Sequence, residues 1–159
     1  PYTVENAILA DAAGQLLSMQ YLKDIREDQG AAYSVSASGA LIFRGNKSYA
    51  VMQAYCPMDP NKAELAVKLL NDGIKANSIK VDADKLQKVK DFMLKQADID
   101  AKGNGHWMGV LDTYTWYGID TESTCKATIQ ALTPEKVANF IKTLMSAGNQ
   151  VEVVMTPAK

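Results

Sequence analysis

The sequence predicts an α+β fold, an antiparallel sheet with helices packed on it, and three features of the chain point there. A long helical stretch opens at Thr3, period-two alternation replaces it at Tyr33, and helical periodicity returns after Pro60 until a short closing strand. Segregated runs of helix and strand with no βαβ alternation favour helices laid on an antiparallel sheet over a parallel one.

The first helix runs from a Thr3 N-cap to about Arg26. Ile8, Leu9, Ala12, Leu16, Leu17, Met19, Leu22 and Ile25 cover a broad face, as in a helix that is mostly buried. Gly30 stands where a left-handed residue would end it. Tyr33, Val35 and Ala37 then alternate with Ser34, Ser36 and Ser38, which predicts a strand with one packed and one wetter face. Gly39 is read as a bulge or bend, and Leu41 to Phe43 carry the strand to a turn at Gly45-Asn46-Lys47-Ser48. Tyr49 to Cys56 form the returning strand of a hairpin.

Pro57 and Pro60 bracket the entry to a second helix, Asn61 to about Ala76, with Ala66, Leu69, Leu70 and Ile74 on one side. Asp82 caps a third, about 83 to 101, on which Leu86, Val89, Met93 and Ala97 share a face. Gly103-Asn104-Gly105 breaks it. Trp107, Val110, Leu111, Tyr114 and Tyr117 follow at helical spacing, a pattern that predicts core packing, and a small helix is expected around 122 to 132. Thr133 caps the last helix, Pro134 takes its first position, and Val137, Phe140, Ile141, Leu144 and Met145 form its apolar stripe. Gly148 ends it and Val151 to Met155 reads as the closing strand. Three strands make a thin sheet for so many helices, so a further strand is expected upstream. With Pro1 in place of a start methionine, residues 1–159 read as a single domain cut from a larger chain and lacking its first strand.

Composition narrows the partners. The chain is 47% hydrophobic and 22% charged, and 17 basic against 18 acidic residues leave a net charge of −1. No clustered positive surplus exists to draw nucleic acid or an anionic membrane. No stretch approaches the length of a bilayer span. Cys56 and Cys125 are too few for a disulfide framework and read as free structural thiols.

The same inventory excludes several chemistries. Hydrolytic zinc needs two or three converging imidazoles or carboxylates, yet His106 is the one histidine and has no acid three or four residues on. This chain therefore supplies no metal site and needs no cofactor of its own; Gly-His-Trp after a helix break reads as a capping or packing histidine. No Gly-x-Ser-x-Gly and no phosphate loop occurs. One constellation remains. Arg26 lies in the last turn of the buried helix and Tyr33 opens the strand after the Gly30 turn, a reversal short enough to bring guanidinium and phenol to one end of the sheet. A cation favoured by the helix dipole and an ordinary strand tyrosine would look the same.

The run Arg26-Glu27, a Gly30 turn, then Tyr33-Ser34-Val35-Ser36-Ala37 resembles the C-terminal-half signature of the pitrilysin/insulinase (inverzincin) family of zinc peptidases. Ala131-Leu132-Thr133-Pro134-Glu135-Lys136-Val137, the helix after it and Glu152-Val153-Val154-Met155-Thr156-Pro157 look like the usual end of such a chain, and Tyr2-Thr3-Val4-Glu5-Asn6 like the start of the first long helix of its repeated domains. The resemblance implies a metallopeptidase/processing-peptidase-like domain and a non-catalytic half that faces a catalytic half across a closed chamber. The catalytic half would carry the zinc in an inverted His-x-x-Glu-His motif. Carried over by position, Arg26 and Tyr33 would hydrogen-bond the backbone of a peptide substrate, and the compartment would be the bacterial periplasm or cell envelope. Two other readings stand beside it: a structural or interaction domain of the same fold without peptidase activity, and a small-ligand domain that uses the aromatic helix.

Overall fold

A computed structural model describes residues 1–44 and 47–155. Helix α1 (Val4–Tyr21) starts where Thr3 Oγ1 accepts the Asn6 amide at 3.0 Å, and it continues without a break into a π-helical turn, Leu22–Glu27. Strands β1 (Ser36–Arg44) and β2 (Lys47–Tyr55) form an antiparallel hairpin. A 3₁₀ turn (Pro60–Lys62) leads into α2 (Ala63–Ile79), followed by α3 (Ala83–Asp100), α4 (Asn104–Tyr117), α5 (Cys125–Gln130) and α6 (Pro134–Ser146). The fold is α+β, as expected, with a two-stranded sheet among the described residues. None of its helices is long and apolar enough to cross a membrane.

The core sits on both sides of α1. Gly14 of α1 crosses Gly39 of β1 so closely that a Cβ on Gly39 would overlap the Ala10 carbonyl oxygen, and one on Gly14 the Gly39 amide nitrogen. Glycine is required there by backbone contact, and Gly39 makes no bulge, because the register runs unbroken from Ser36 opposite Tyr55 to Arg44 opposite Lys47. Along the N-terminal part of α1, Ile8, Leu9, Ala12 and Leu16 pack with Leu86 and Val89 of α3 and Val137 and Ile141 of α6. Toward its end, Leu17, Tyr21 and Ile25 pack with Ala31, Val35 and Ala66. Tyr21 fits over Gly73 of α2 and donates its hydroxyl proton to the Leu70 carbonyl at 2.8 Å; burial pushes this phenol well above the ordinary tyrosine range.

The expected caps are present. Asp82 Oδ1 accepts the Lys85 amide at 2.9 Å, Thr133 Oγ1 accepts the Lys136 amide at 3.3 Å, and Gly30 and Gly148 have positive φ; Gly118, not among the expected caps, has it as well. Besides the bulge at Gly39, four expectations need correction. The first strand begins at Ser36 rather than Tyr33. The second begins at Lys47, so Lys47 and Ser48 belong to β2, while Gly45 and Asn46 of the expected turn lie outside the described residues. Val151–Met155 pairs with no strand among the described residues: Asn71 of α2 donates to Glu152 at 3.1 Å and accepts from Gln150 at 2.8 Å, which holds this segment beside a helix and leaves its valines exposed. The aromatic helix α4 has no buried residue, with Leu111 63% and Trp116 74% exposed.

Candidate functional site

The C-terminal end of α1 carries the candidate site, and its geometry begins with the π turn. The Asp28 amide reaches back five residues to the Lys23 carbonyl at 2.9 Å, so one residue is accommodated beyond α-helical winding. Such turns recur at functional sites because they redirect side chains that a regular helix would place elsewhere. Here the turn buries Ile25 completely and turns Arg26 out to solvent. Gly30, at φ +52°, then closes the helix as its amide bonds the Arg26 carbonyl at 3.1 Å, the left-handed cap in which a side chain would be strained.

The chain reverses and is held from outside. The Asp59 amide donates to the Ala31 carbonyl at 2.9 Å, an isolated antiparallel bridge pairs Ala32 with Met58, and Lys62 Nζ donates to the Gln29 and Gly30 carbonyls at 2.8 and 3.3 Å. Between that bridge and the Ser36–Tyr55 pair, one side has Tyr33, Ser34 and Val35 where the other has only Cys56 and Pro57. Pro57 has no N–H to give a ladder, and the surplus residue cannot be matched. That mismatch is why alternation fails at Tyr33. Ala32 and Val35 stay buried on either side, while Tyr33 is 88% exposed.

Arg26 and Tyr33, singled out in the sequence, are brought together. The guanidinium carbon lies 5.9 Å from the centre of the Tyr33 ring, within range of a cation–π contact that contributes about 0.5–1 kcal/mol at an exposed site. Among the described residues no carboxylate pairs with Arg26, and neither the guanidinium nor the phenol is used in a hydrogen bond. Five guanidinium donors and one phenolic donor thus face solvent on a backbone tied at Gln29, Gly30, Ala31 and Ala32. Paired in this way, they can donate to carbonyl oxygens of an extended chain.

The other candidates differ. His106 Nε2 lies 2.9 Å from Glu122 Oε2, with its ring edge-on to Trp107. It ties α4 to the segment before α5, and two donors do not make the three or four ligands of a zinc centre; among the described residues no cluster of three or more such side chains forms. Burial pushes the thiols of Cys56 and Cys125 upward, which suits packed cysteines rather than nucleophiles. An open groove of about 480 Å³ between the start of α1, the hairpin and α6 is lined by Glu5 and Lys136, already paired with each other at 2.8 Å, and otherwise by neutral side chains such as Asn6, Asn139 and Phe140. Sequence reading missed the Asp59–Lys62 segment; Pro57 and Pro60, which pin the chain at that point, were the available signal.

No family model matches the chain, and no curated protein matches it. Solved structures do. The periplasmic protease PqqL from Escherichia coli is similar with a TM-score of 0.72 at 18% identity, over 92% of this chain and 16% of that one. The ferredoxin protease FusC, solved in complex with Arabidopsis ferredoxin, is similar with a TM-score of 0.69 at 13% identity, over 90% of this chain and 16% of its own. The fold is therefore one that occurs within proteases. The chain spans only about one sixth of the length of each of these two.

Proposed function

We propose that this chain is a non-catalytic, substrate-binding domain of a zinc metalloendopeptidase of the pitrilysin/insulinase type. In this reading it holds an extended peptide at a zinc site carried by the catalytic half of the same protein. The observation that carries the reading is the exposed Arg26–Tyr33 pair, whose donors are uncommitted and whose backbone is tied down. The shared fold with two proteases supports it, and the periplasmic setting of PqqL supports a periplasmic or envelope location.

The chemistry follows from donor geometry. The Arg26 fork and the Tyr33 hydroxyl donate to peptide carbonyl oxygens, and contacts to backbone rather than side chains tolerate many substrate sequences. Holding the scissile carbonyl in place removes orientational freedom before the reaction, and a positioned donor stabilises negative charge that develops on the oxygen. The zinc of the catalytic half would supply water activation; this domain would bind and orient.

Replacing Arg26→Ala or Tyr33→Phe in the full-length protein should lower kcat/KM for peptide hydrolysis by about tenfold to a thousandfold at unchanged zinc content, the size expected for loss of one positioned donor. Tyr33→Phe keeps the ring and removes only the hydroxyl. Unaltered turnover in both variants would sink the reading and make the pair structural, whereas a parent protein with no peptide hydrolysis would leave the rival one, an interaction domain without peptidase activity, which the exposed apolar surface of α4 favours.

A further inference from the structure

We propose that Lys62 is the positioning residue of the Arg26–Tyr33 pair, an inference that rests on the substrate-binding reading above. Six residues of chain separate the arginine from the tyrosine, and that stretch is held by a handful of bonds. Gly30 N–H bonds the Arg26 carbonyl, Asp59 N–H bonds the Ala31 carbonyl, and Ala32 is bridged to Met58. All of these are backbone contacts. Lys62 is the one side chain among the described residues that joins in, with its ammonium 2.8 Å from the Gln29 carbonyl oxygen and 3.3 Å from that of Gly30.

The placement has a physical rationale. Gln29 and Gly30 follow the helix end, where carbonyl oxygens lack intrahelical partners and the negative pole of the dipole concentrates. A cation there bonds what the helix cannot, and the bonds are charge-assisted. Lys62 is itself fixed at its root. Its amide donates to the Asp59 carbonyl at 2.9 Å, Asp59 Oδ1 accepts the Asn61 amide at 2.9 Å, and α2 begins at the next residue. No carboxylate competes for the ammonium among the described residues. The lysine thus staples the loop that sets the separation of guanidinium and phenol to the rigid start of α2. Without it the backbone bonds alone must hold that separation, and a displacement of about 1 Å in a positioning group can cost a hundredfold in rate.

The test uses the full-length protein with Lys62→Met, which keeps the aliphatic stem and removes the charge, and with Lys62→Arg, which keeps the charge. Lys62→Met should lower kcat/KM about tenfold with zinc content unchanged, and Lys62→Arg should restore most of it. Added to an Arg26→Ala/Tyr33→Phe background, Lys62→Met should cause no further loss, because there is no pair left to position. Hydrogen exchange at the Ala31 amide should also quicken in Lys62→Met. Parental activity in Lys62→Met, or a further tenfold drop in the double-variant background, would overturn the inference while leaving the substrate-binding reading intact. Silent Arg26→Ala and Tyr33→Phe variants would instead overturn that reading.

Discussion

Helices α1 and α4 look alike as strings of apolar residues, yet one is the axis of the molecule and the other lies on its surface. In α1, Leu16 is 2% exposed; in α4, Leu111 is 63% exposed. The difference lies in what their small residues meet. Ala10 and Gly14, four residues apart on α1, let the backbone of β1 settle against it, while the other side meets α3 and α6. A helix between two layers can bury most of its circumference. Helix α4 has Trp107, Met108, Leu111, Tyr114 and Trp116, and its own small pair at the same spacing, Gly105 and Gly109, faces open space; its attachments are at its ends: Trp107 Nε1 to the Ala101 carbonyl at 2.8 Å, His106 to Glu122, and the Tyr117 ring stacked 3.7 Å from that of Phe43. Hydrophobicity alone does not bury a helix. A facing surface does.

The largest expected effect tests the close crossing. Gly39→Ala would drive a methyl group into the Ala10 carbonyl of α1, and neither backbone can move without breaking the hairpin register or the helix. Overpacking typically costs about 1–3 kcal/mol and more where backbone is struck, so chemical denaturation should show a loss of about 3 kcal/mol or greater. A variant as stable as its parent would mean that α1 and β1 are further apart than described. Next comes the core face: Leu16→Ala should cost about 2–5 kcal/mol in the same measurement, from lost burial and the cavity left behind. Smallest is its counterpart on α4, where Leu111→Ala should shift stability by no more than about 0.5 kcal/mol. A loss equal to that of Leu16→Ala would show that something covers α4 in solution, and the contrast between the two helices would disappear.

Much of the fold was legible because its signals are local. Thr3, Asp82 and Thr133 are caps whose oxygens meet amides three residues on, and Gly30 and Gly148 stop helices where only a left-handed residue serves. The hairpin followed from alternation. The candidate site was half legible: Arg26 and Tyr33 could be singled out and their proximity expected. The π turn that turns Arg26 outward, the unmatched residue that frees Tyr33 and the lysine that staples the loop all involve contacts between distant stretches of chain.

What the sequence determined by itself is the order of the helices and the hairpin, most of the helix ends, the α+β class and the single histidine, since each depends on residue type and short-range spacing. What only the tertiary structure decided is which apolar surfaces find a partner. Gly39 looks like a bulge until Gly14 is set against it, α4 looks like core until its faces prove uncovered, and Val151–Met155 looks like a strand until Asn71 is found holding it beside α2. Burial and strand pairing are relations between surfaces, and a sequence specifies one surface at a time.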